Sequence, residues 1–186
     1  MFYQLKAKSH VRVPPALLKL PTKEAVFEQL NKSFEGHISQ EVGFVIAITE
    51  VLNVGEGLVI PGDGAAFYET EFSMLTFLPE MQEITLGKIS DITNFGAFIS
   101  LGPVEGMIHV SQTMDDFISF SKQKTLTGKD SKKVLKVGDK CRARMIAISY
   151  KDMTNPKLGL TMRQPHLGNL RWIEDDLKKP LKKGSK

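Results

Sequence analysis

The spacing of apolar and polar side chains over residues 1–80 predicts a small α+β domain. The two kinds of side chain alternate over residues 2–13, as in a strand with one buried face, until Pro14 and Pro15 end the pattern. A helix is predicted next, from Pro21-Thr22 to about Gly36. Its apolar positions form one helical stripe: Val26, Phe27, Leu30 and Phe34.

Further strands are predicted in the same half. Residues 42–54 form one strand, and Gly55-Glu56-Gly57 is predicted to turn the chain into a short strand over residues 58–60. Pro61-Gly62-Asp63-Gly64 is a second turn, before alternation resumes over residues 66–78. The result is a sheet with a glycine-rich tip. Gly62 and Gly64 permit a positive φ and a close approach to another chain, although a plain hairpin turn explains them equally well.

The segment GKISDITNFGAFISLGPVEGMIHVSQ, residues 87–112, predicts two strands that carry aromatic side chains. Gly96 is expected to bend the first strand, so that Phe95 and Phe98 approach a common surface. Exposed aromatic rings stack on unpaired bases, at about 1 to 3 kcal/mol per base, and His109 on the next strand adds a ring or a hydrogen bond. The alternative is that both phenylalanines fill a core. We expect at least one of them, with His109, to be exposed.

A resemblance emerges from this spacing. The pattern G-x-I-x-x-I-x-x-F-G-A-F-I-x-L-G followed by E-G-M-I-H-V-S-Q resembles the RNA-binding OB domain named after ribosomal protein S-one. Residues 137–148 and 158–163 are similar to its last two strands. The resemblance implies a five-stranded OB-fold β-barrel within residues 81–186, and so a chain that is α+β but mostly β. Such domains occur in ribosomal proteins, initiation factors, ribonucleases and polymerase stalks, so an RNA ligand is implied but not one function.

Charge separates the two halves of the chain. The net charge of +4 combines six basic and ten acidic residues in positions 1–80 with nineteen and eleven in positions 81–186, that is, −4 and +8. A basic half suits a phosphate backbone, whereas an acidic half is better matched to protein contacts. Lysines in the segment 117–136 and at the C-terminus supply much of the excess. The segment itself fits either an ordered insertion or a mobile basic loop.

Composition bounds the class of protein. A hydrophobic content of 41% suits a globular fold, and the longest apolar run, residues 44–48, is far too short to cross a bilayer. The first residues lack the pattern of a signal peptide, so we expect a cytoplasmic protein. Cys141 is the only cysteine, which excludes an internal disulfide. Its place in a strand predicts a buried thiol.

No constellation of residues predicts catalysis. Asp115-Asp116 lacks a third ligand for a two-metal site, and Gly128-Lys129-Asp130 fails as a phosphate-binding loop. His109 and Ser111 have no orienting carboxylate at a known spacing, and the other histidines are scattered. We therefore expect a protein without catalytic residues, bound metal or cofactor.

A second resemblance covers the whole chain. The order of Val13-Pro14-Pro15, Val54-Gly55-Glu56-Gly57, Pro61-Gly62-Asp63-Gly64, Leu78-Pro79-Glu80-Met81 and Leu160-Thr161-Met162-Arg163-Gln164-Pro165 is similar to that of the archaeal E-prime family of RNA polymerase subunits, whose eukaryotic homologue is the seventh subunit of polymerase II. The resemblance implies a non-catalytic stalk subunit of DNA-directed RNA polymerase. Its roles are to bind nascent single-stranded RNA and to support initiation, elongation and termination.

The same resemblance assigns roles to residues and names partners. Residues 1–80 are implied to be a tip domain that docks on the base of the polymerase clamp, through Pro14, Pro15, Gly62, Asp63 and Gly64. Residues 81–186 are implied to bind RNA through Phe95, Phe98, His109 and Arg163, with Lys88, Arg142 and Arg144 as weaker candidates, since a basic strand residue also suits a solvated face. The F subunit of RNA polymerase is the implied partner in a heterodimer.

Two alternatives remain open at this stage. A free-standing translation or RNA-decay factor explains the barrel but not the Pro-Gly-Asp-Gly half, and a structural brace keeps the OB fold without using it for RNA. The sequence specifies neither RNA preference and affinity nor stability without the partner. The angle between the domains and the source organism are also not specified.

Overall fold

The computed structural model describes residues 1–121, 123–152 and 156–178. The chain divides into two compact units, one of residues Met1–Leu78 and one that begins at Pro79. Strands dominate both units, so the prediction of an α+β chain that is mostly β is confirmed. In the described residues, no helix is both long and apolar enough to cross a bilayer.

The first unit is a four-stranded antiparallel sheet with one helix against it. The elements are β1 (Phe2–Val13), α1 (Thr22–Phe34), β2 (Ile38–Ser39), β3 (Gly43–Val59) and β4 (Ala66–Phe77), and the strand order is β1-β4-β3-β2. The side chains of β1 alternate in burial as predicted. α1 packs its buried face, with Val26 and Leu30, against the core formed by Val13, Ile48 and Phe72. Each large apolar side chain buried there contributes about 1.5 to 3 kcal/mol to stability.

The predicted turn at residues 55–57 is wrong. β3 continues through both glycines to Val59, and register shifts relative to β4 occur at four places, the last between Val54 and Gly57. A Cβ atom on Gly57 would lie 2.7 Å from Cε1 of Tyr68. Gly57 therefore makes room for the ring of Tyr68 on the opposite strand, and bulges rather than a turn absorb the irregular spacing.

The second unit is built on a five-stranded barrel. Its elements, in chain order, are β5 (Ile84–Thr93), β6 (Gly96–Ser100), β7 (Glu105–His109), β8 (Ile118–Ser121), β9 (Thr125–Gly128), β10 (Val134–Lys136), β11 (Lys140–Ser149), β12 (Lys157–Thr161), β13 (Gly168–Asn169) and α2 (Leu170–Lys178). The barrel order is β12-β7-β6-β5-β11, and pairing of β11 with β12 closes it. The short β13 lies beside β11.

The barrel core is apolar and includes the only thiol. Ile89, Ile99, Ile108 and Leu160 are almost completely buried. Cys141 is also buried, as predicted, and burial raises the pKa of its thiol to about 12.

Gly96 lies at the start of a strand and does not bend one. The segment 87–112 contains parts of three strands rather than two, because a tight turn after Thr93 ends β5 and Gly96 begins β6. The irregularity inside β5 lies instead between Ile89 and Asp91. A side chain at Gly96 would clash with the carbonyl oxygen of Ile108 on β7, so close approach of the backbones explains this glycine.

The segment between β7 and β11 is an ordered insertion in the residues described. β8, β9 and β10 form a separate antiparallel sheet in the order β10-β9-β8, with Leu126 and Leu135 fully buried. Lys133 connects this sheet to α2, because its Nζ atom lies 3.0 Å from Oδ2 of Asp176 and 5.6 Å from the ring centroid of Trp172. Lys122 and the C-terminal lysines beyond Lys178 lie outside the described residues.

Candidate nucleic-acid interface

The outer face of β6 and β7 presents aromatic and polar side chains. Ala97 and Ile99 point into the barrel, so Phe98 lies on the opposite face. Cross-strand pairing places Phe98 beside Met107 of β7 and Gly96 beside His109. Gly96 therefore contributes no side chain beside the ring of His109.

Phe95 and Phe98 form one aromatic pair. Their ring centroids lie 6.1 Å apart and the ring planes are perpendicular, an edge-to-face arrangement. Phe95 is 47% exposed and Phe98 is half-buried, so one ring reaches solvent while the other supports it. The expectation of exposure therefore fits Phe95 and His109, whereas Phe98 is partly a packing residue.

His109 is oriented by the short helical turn that follows it. Its Nδ1 atom lies 2.8 Å from Oγ of Ser111 and accepts the backbone N–H of Ser111 at 3.3 Å. Because Nδ1 acts as an acceptor, the neutral ring carries its proton on Nε2. His109 therefore offers an aromatic face and one N–H donor.

Arg163 is paired with a carboxylate near this surface. Its Nε and Nη2 atoms both contact Oδ1 of Asp115, at 2.9 Å and 2.5 Å. The pair borders a cleft that Ser111 also lines, so Arg163 lies close to the residue that orients His109. Asp115 is a partner that the sequence did not indicate, because it lies 48 residues away in the chain.

The three weaker basic candidates lie on other strands. Lys88 of β5 pairs with Ser100, two residues from Phe98 on the same outer face, and so continues that face along the barrel. Arg142 and Arg144 are on β11, across β5, where their cross-strand neighbours are the exposed Leu86 and Ile84. The structure thus brings Lys88 toward the aromatic pair but places the two arginines on a separate part of the barrel.

The tip of the first unit gathers the five docking candidates. The guanidinium group of Arg12 binds the carboxylate of Asp63, which also accepts the backbone N–H of Ala65 at 3.2 Å. A side chain on Gly64 would meet Cγ of Pro15 at 3.6 Å, so the Pro14-Pro15 segment lies directly beside this turn. Gly62 has φ +92°, a conformation that favours glycine.

Sequence reasoning missed a row of exposed apolar side chains beside this turn. Leu58, Val59 and Ile60 are 66%, 69% and 51% exposed. The available signal was an apolar triplet directly before Pro-Gly-Asp-Gly. Three adjacent exposed apolar residues are typical of a contact surface.

Asp116, which follows the Arg163 partner Asp115 in the chain, has a structural role. Its carboxylate accepts hydrogen bonds from the backbone N–H groups of Asp130 and Ser131 and from the Ser131 hydroxyl. These bonds, led by that of the Ser131 N–H, lower the pKa of the Asp116 carboxyl below its ordinary value. Over the residues described, no group of three or more His, Cys, Asp or Glu side chains is arranged to hold a metal ion.

Comparison with known proteins covers both units. A family profile described as the SHS2 domain found in the N terminus of Rpb7p/Rpc25p/MJ0397 matches residues 8–64, and the S1 RNA binding domain matches residues 78–153. The DNA-directed RNA polymerase subunit Rpo7 of Saccharolobus shibatae is 39% identical over 175 residues, which cover 93% of this chain and 97% of that protein. The chain belongs to the Rpo7 family.

Other members extend the relationship. Rpo7 of Sulfolobus acidocaldarius is 36% identical over 98% of this chain and 100% of its own length. The DNA-directed RNA polymerase III subunit RPC8 of Saccharomyces cerevisiae is 36% identical over 61% of this chain and 54% of its own length. Both resemblances stated from the sequence are confirmed. As a member of the Rpo7 family, the chain is an accessory subunit of DNA-directed RNA polymerase and not the catalytic one.

Proposed function

We propose that this Rpo7-family chain binds nascent single-stranded RNA as a stalk subunit of DNA-directed RNA polymerase and so supports initiation, elongation and termination. The observation that carries the proposal is the exposed surface of Phe95, Phe98 and His109 on an S1-type barrel. Aromatic rings bind unpaired bases by stacking, with little dependence on sequence.

Tethering to the polymerase explains how weak contacts between the barrel and RNA suffice for transcript binding. A barrel held near the RNA exit of the polymerase converts transcript binding into an intramolecular event, which raises the effective concentration of RNA. Arg163 and Lys88 border the aromatic surface and supply positive charge for the phosphates, whereas Arg142 and Arg144 have a smaller part because they lie on β11.

The first unit, residues 1–80 in this proposal, docks on the polymerase core at the clamp base. The tip of this unit contains the five docking candidates, Pro14, Pro15, Gly62, Asp63 and Gly64. The exposed apolar row of Leu58, Val59 and Ile60 lies beside them. The acidic character of residues 1–80 suits protein contacts better than RNA. A cytoplasmic location belongs to the same proposal.

A helical partner, the F subunit of RNA polymerase, completes the proposed assembly. Both units carry exposed large apolar side chains away from the surfaces assigned above, including Phe2 in the first unit and Leu177 in the second. Apolar side chains in such positions favour a partner protein, which would cover them in a heterodimer.

The proposal is tested by RNA affinity of the full chain. Replacement of Phe95, Phe98 and His109 by alanine should weaken binding of a labelled single-stranded oligouridylate, and Phe27→Ala is the matched control, because Phe27 is an exposed aromatic residue of the first unit. Unchanged affinity in the triple variant would reject the surface and favour a structural brace. Co-purification with polymerase core, rather than with ribosomes, separates the stalk from a free-standing translation factor.

A further inference from the structure

The insertion contributes a lysine to the edge of the aromatic surface. The Nζ atom of Lys124, which directly precedes β9, lies 2.7 Å from Oδ1 of Asp91 on β5. Asp91 is the cross-strand neighbour of Phe98. The ammonium group of Lys124 is therefore held one strand away from the phenylalanine that supports Phe95.

Lys124 and Phe98 line the same open groove. The groove has a volume of about 710 Å³, within the range of sites that hold small organic ligands. Two carboxylates, Asp91 and Glu105, also line it, and Lys124 is the only cation among its lining residues in the described chain. An RNA phosphate would be repelled by the two carboxylates, so binding there depends on Lys124.

The backbone at Lys124 is unusual for a lysine. Its φ is +53°, in the left-handed region where glycine and asparagine are favoured, and its backbone N–H donates to the carbonyl oxygen of Ser121 at 3.0 Å. A lysine in this conformation costs more than glycine would. The ion pair with Asp91 does not offset this conformational cost, because both side chains are about half exposed and such pairs contribute little stability.

We propose that Lys124 is a phosphate-binding residue for single-stranded RNA, placed beside Phe98, and that Asp91 holds its ammonium group in position when no RNA is bound. This inference rests on the proposed RNA-binding function of the same surface. A stacked base on the aromatic pair carries a phosphate at a short distance, which matches a ring and a cation in one groove. An RNA phosphate replaces the Asp91 carboxylate on Lys124 at small cost, because the pair is solvent-exposed.

Three substitutions in the full chain test the inference, with a fluorescein-labelled single-stranded oligouridylate as probe. Lys124→Asn removes the charge and keeps a residue that tolerates the left-handed conformation. It should weaken binding about threefold to fivefold and reduce the magnitude of the salt slope by about 0.7. Lys124→Arg should keep the RNA affinity and the salt slope near their wild-type values. Asp91→Asn should strengthen binding, because it removes a competing carboxylate while its Oδ1 can still accept the N–H of Ile92.

The outcomes separate this inference from the function on which it rests. Wild-type affinity and salt slope in Lys124→Asn, together with weakened binding in Phe98→Ala, overturn the role of Lys124 alone. Wild-type behaviour in both variants, or no RNA binding by the wild type, overturns the surface and the inference together. Weaker binding by Asp91→Asn also overturns the inference, because the Asp91 carboxylate would then assist RNA binding rather than compete with the phosphate for Lys124. Displacement of the probe by an acidic peptide as effectively as by unlabelled RNA would assign the groove to protein.

Discussion

The guanidinium group of Arg12 donates two hydrogen bonds to the carboxylate of Asp63, from Nε to Oδ2 at 2.9 Å and from Nη2 to Oδ1 at 2.6 Å. Arg12 lies near the end of β1, and Asp63 lies in the turn between β3 and β4. Paired donors of this kind fix orientation as well as distance. The arrangement holds the Pro-Gly-Asp-Gly turn against the edge of the sheet.

Loss of this fork should weaken docking more than folding. Asp63→Asn removes the charge and one of the two acceptor positions for Arg12, so the turn loses its fixed orientation. We expect reduced recovery of the variant with polymerase core in a pull-down, with a nearly unchanged thermal unfolding midpoint, since exposed ion pairs add little stability. Glu69→Gln, which breaks the exposed Lys8–Glu69 pair of the same unit, is the matched control. Equal recovery of both variants would contradict a docking role for Asp63.

The carboxylate of Asp116 should make the second unit sensitive to acid. Hydrogen bonds from Ser131 lower its pKa in the folded state below 3.8, so the ionised group stabilises the fold above pH 3.8. This contribution is lost as the pH falls through the lowered folded pKa. Asp116→Asn should therefore unfold at lower urea concentration than wild type at neutral pH, and the difference should shrink as the pH falls below 3.8.

Urea midpoints measured across this range check the prediction. Asp175→Asn in α2 is the control, because its carboxyl makes none of the bonds that Asp116 makes. A difference between wild type and Asp116→Asn that stays constant at all pH values would show that the charge of Asp116 is not its source.

The only tryptophan reports on the contact between the insertion and α2. Lys133 lies over the ring of Trp172 and pairs with Asp176. Lys133→Met removes the cation and keeps the length of the side chain, so the emission maximum of Trp172 should shift. Lys129→Met, in the same basic segment, should leave the emission unchanged. Identical spectra for wild type and Lys133→Met would mean that the contact does not persist in solution.

Gly96 should tolerate no side chain. A Cβ atom there would clash with the backbone of Ile108, so Gly96→Ala forces β6 and β7 apart. Overpacking of this kind costs about 1 to 3 kcal/mol, and it should also weaken RNA binding because His109 is the cross-strand neighbour of Gly96. Urea unfolding measures the loss, with Ser100→Ala on the same strand as control. Wild-type stability in Gly96→Ala would show that the two strands separate easily.

The thiol of Cys141 should be inert in the folded protein. It is fully buried, and a pKa of about 12 leaves it protonated at neutral pH, whereas the thiolate is the reactive form. Iodoacetamide should label it only after denaturant is added, with labelling followed by mass spectrometry. Labelling of the native protein at the rate of the denatured one would indicate that the barrel opens between β5 and β11.

The sequence predicted elements well where one periodicity dominates. The alternation over β1 and the helical stripe of α1 each follow from a single buried face. The observed ends of β1 and α1 lie close to the predicted ones. It failed at Gly55-Glu56-Gly57, because glycine marks both turns and close approaches, and only the ring of Tyr68 on another strand shows which applies. The insertion stayed undecided, since its small core consists of Leu126 and Leu135 among many lysines.

The candidate site was predicted in its residue types but not in its pairs. Phe95, Phe98 and His109 follow from local spacing and family resemblance, and they lie on or beside neighbouring strands. The partners Asp115 of Arg163 and Asp91 of Lys124 are 48 and 33 residues distant in the chain. Contacts at such separations depend on how the strands are arranged, which no local pattern encodes.

The parallel pairing of β7 with β12 has a consequence for synthesis on the ribosome. Gly106 pairs with Leu158, so the edge of β7 has no neighbour on that side until the chain beyond residue 158 has emerged. A meander of β5, β6 and β7 has two open edges until β11 emerges to pair with β5, and open edges are sites of unwanted pairing between nascent chains. In the first unit β1 pairs with β4 alone, so it also waits for a distant partner, since Val13 pairs with Ala66 and Phe2 with Phe77. Each half of this protein therefore passes through a stage of synthesis in which a strand has emerged before its partner.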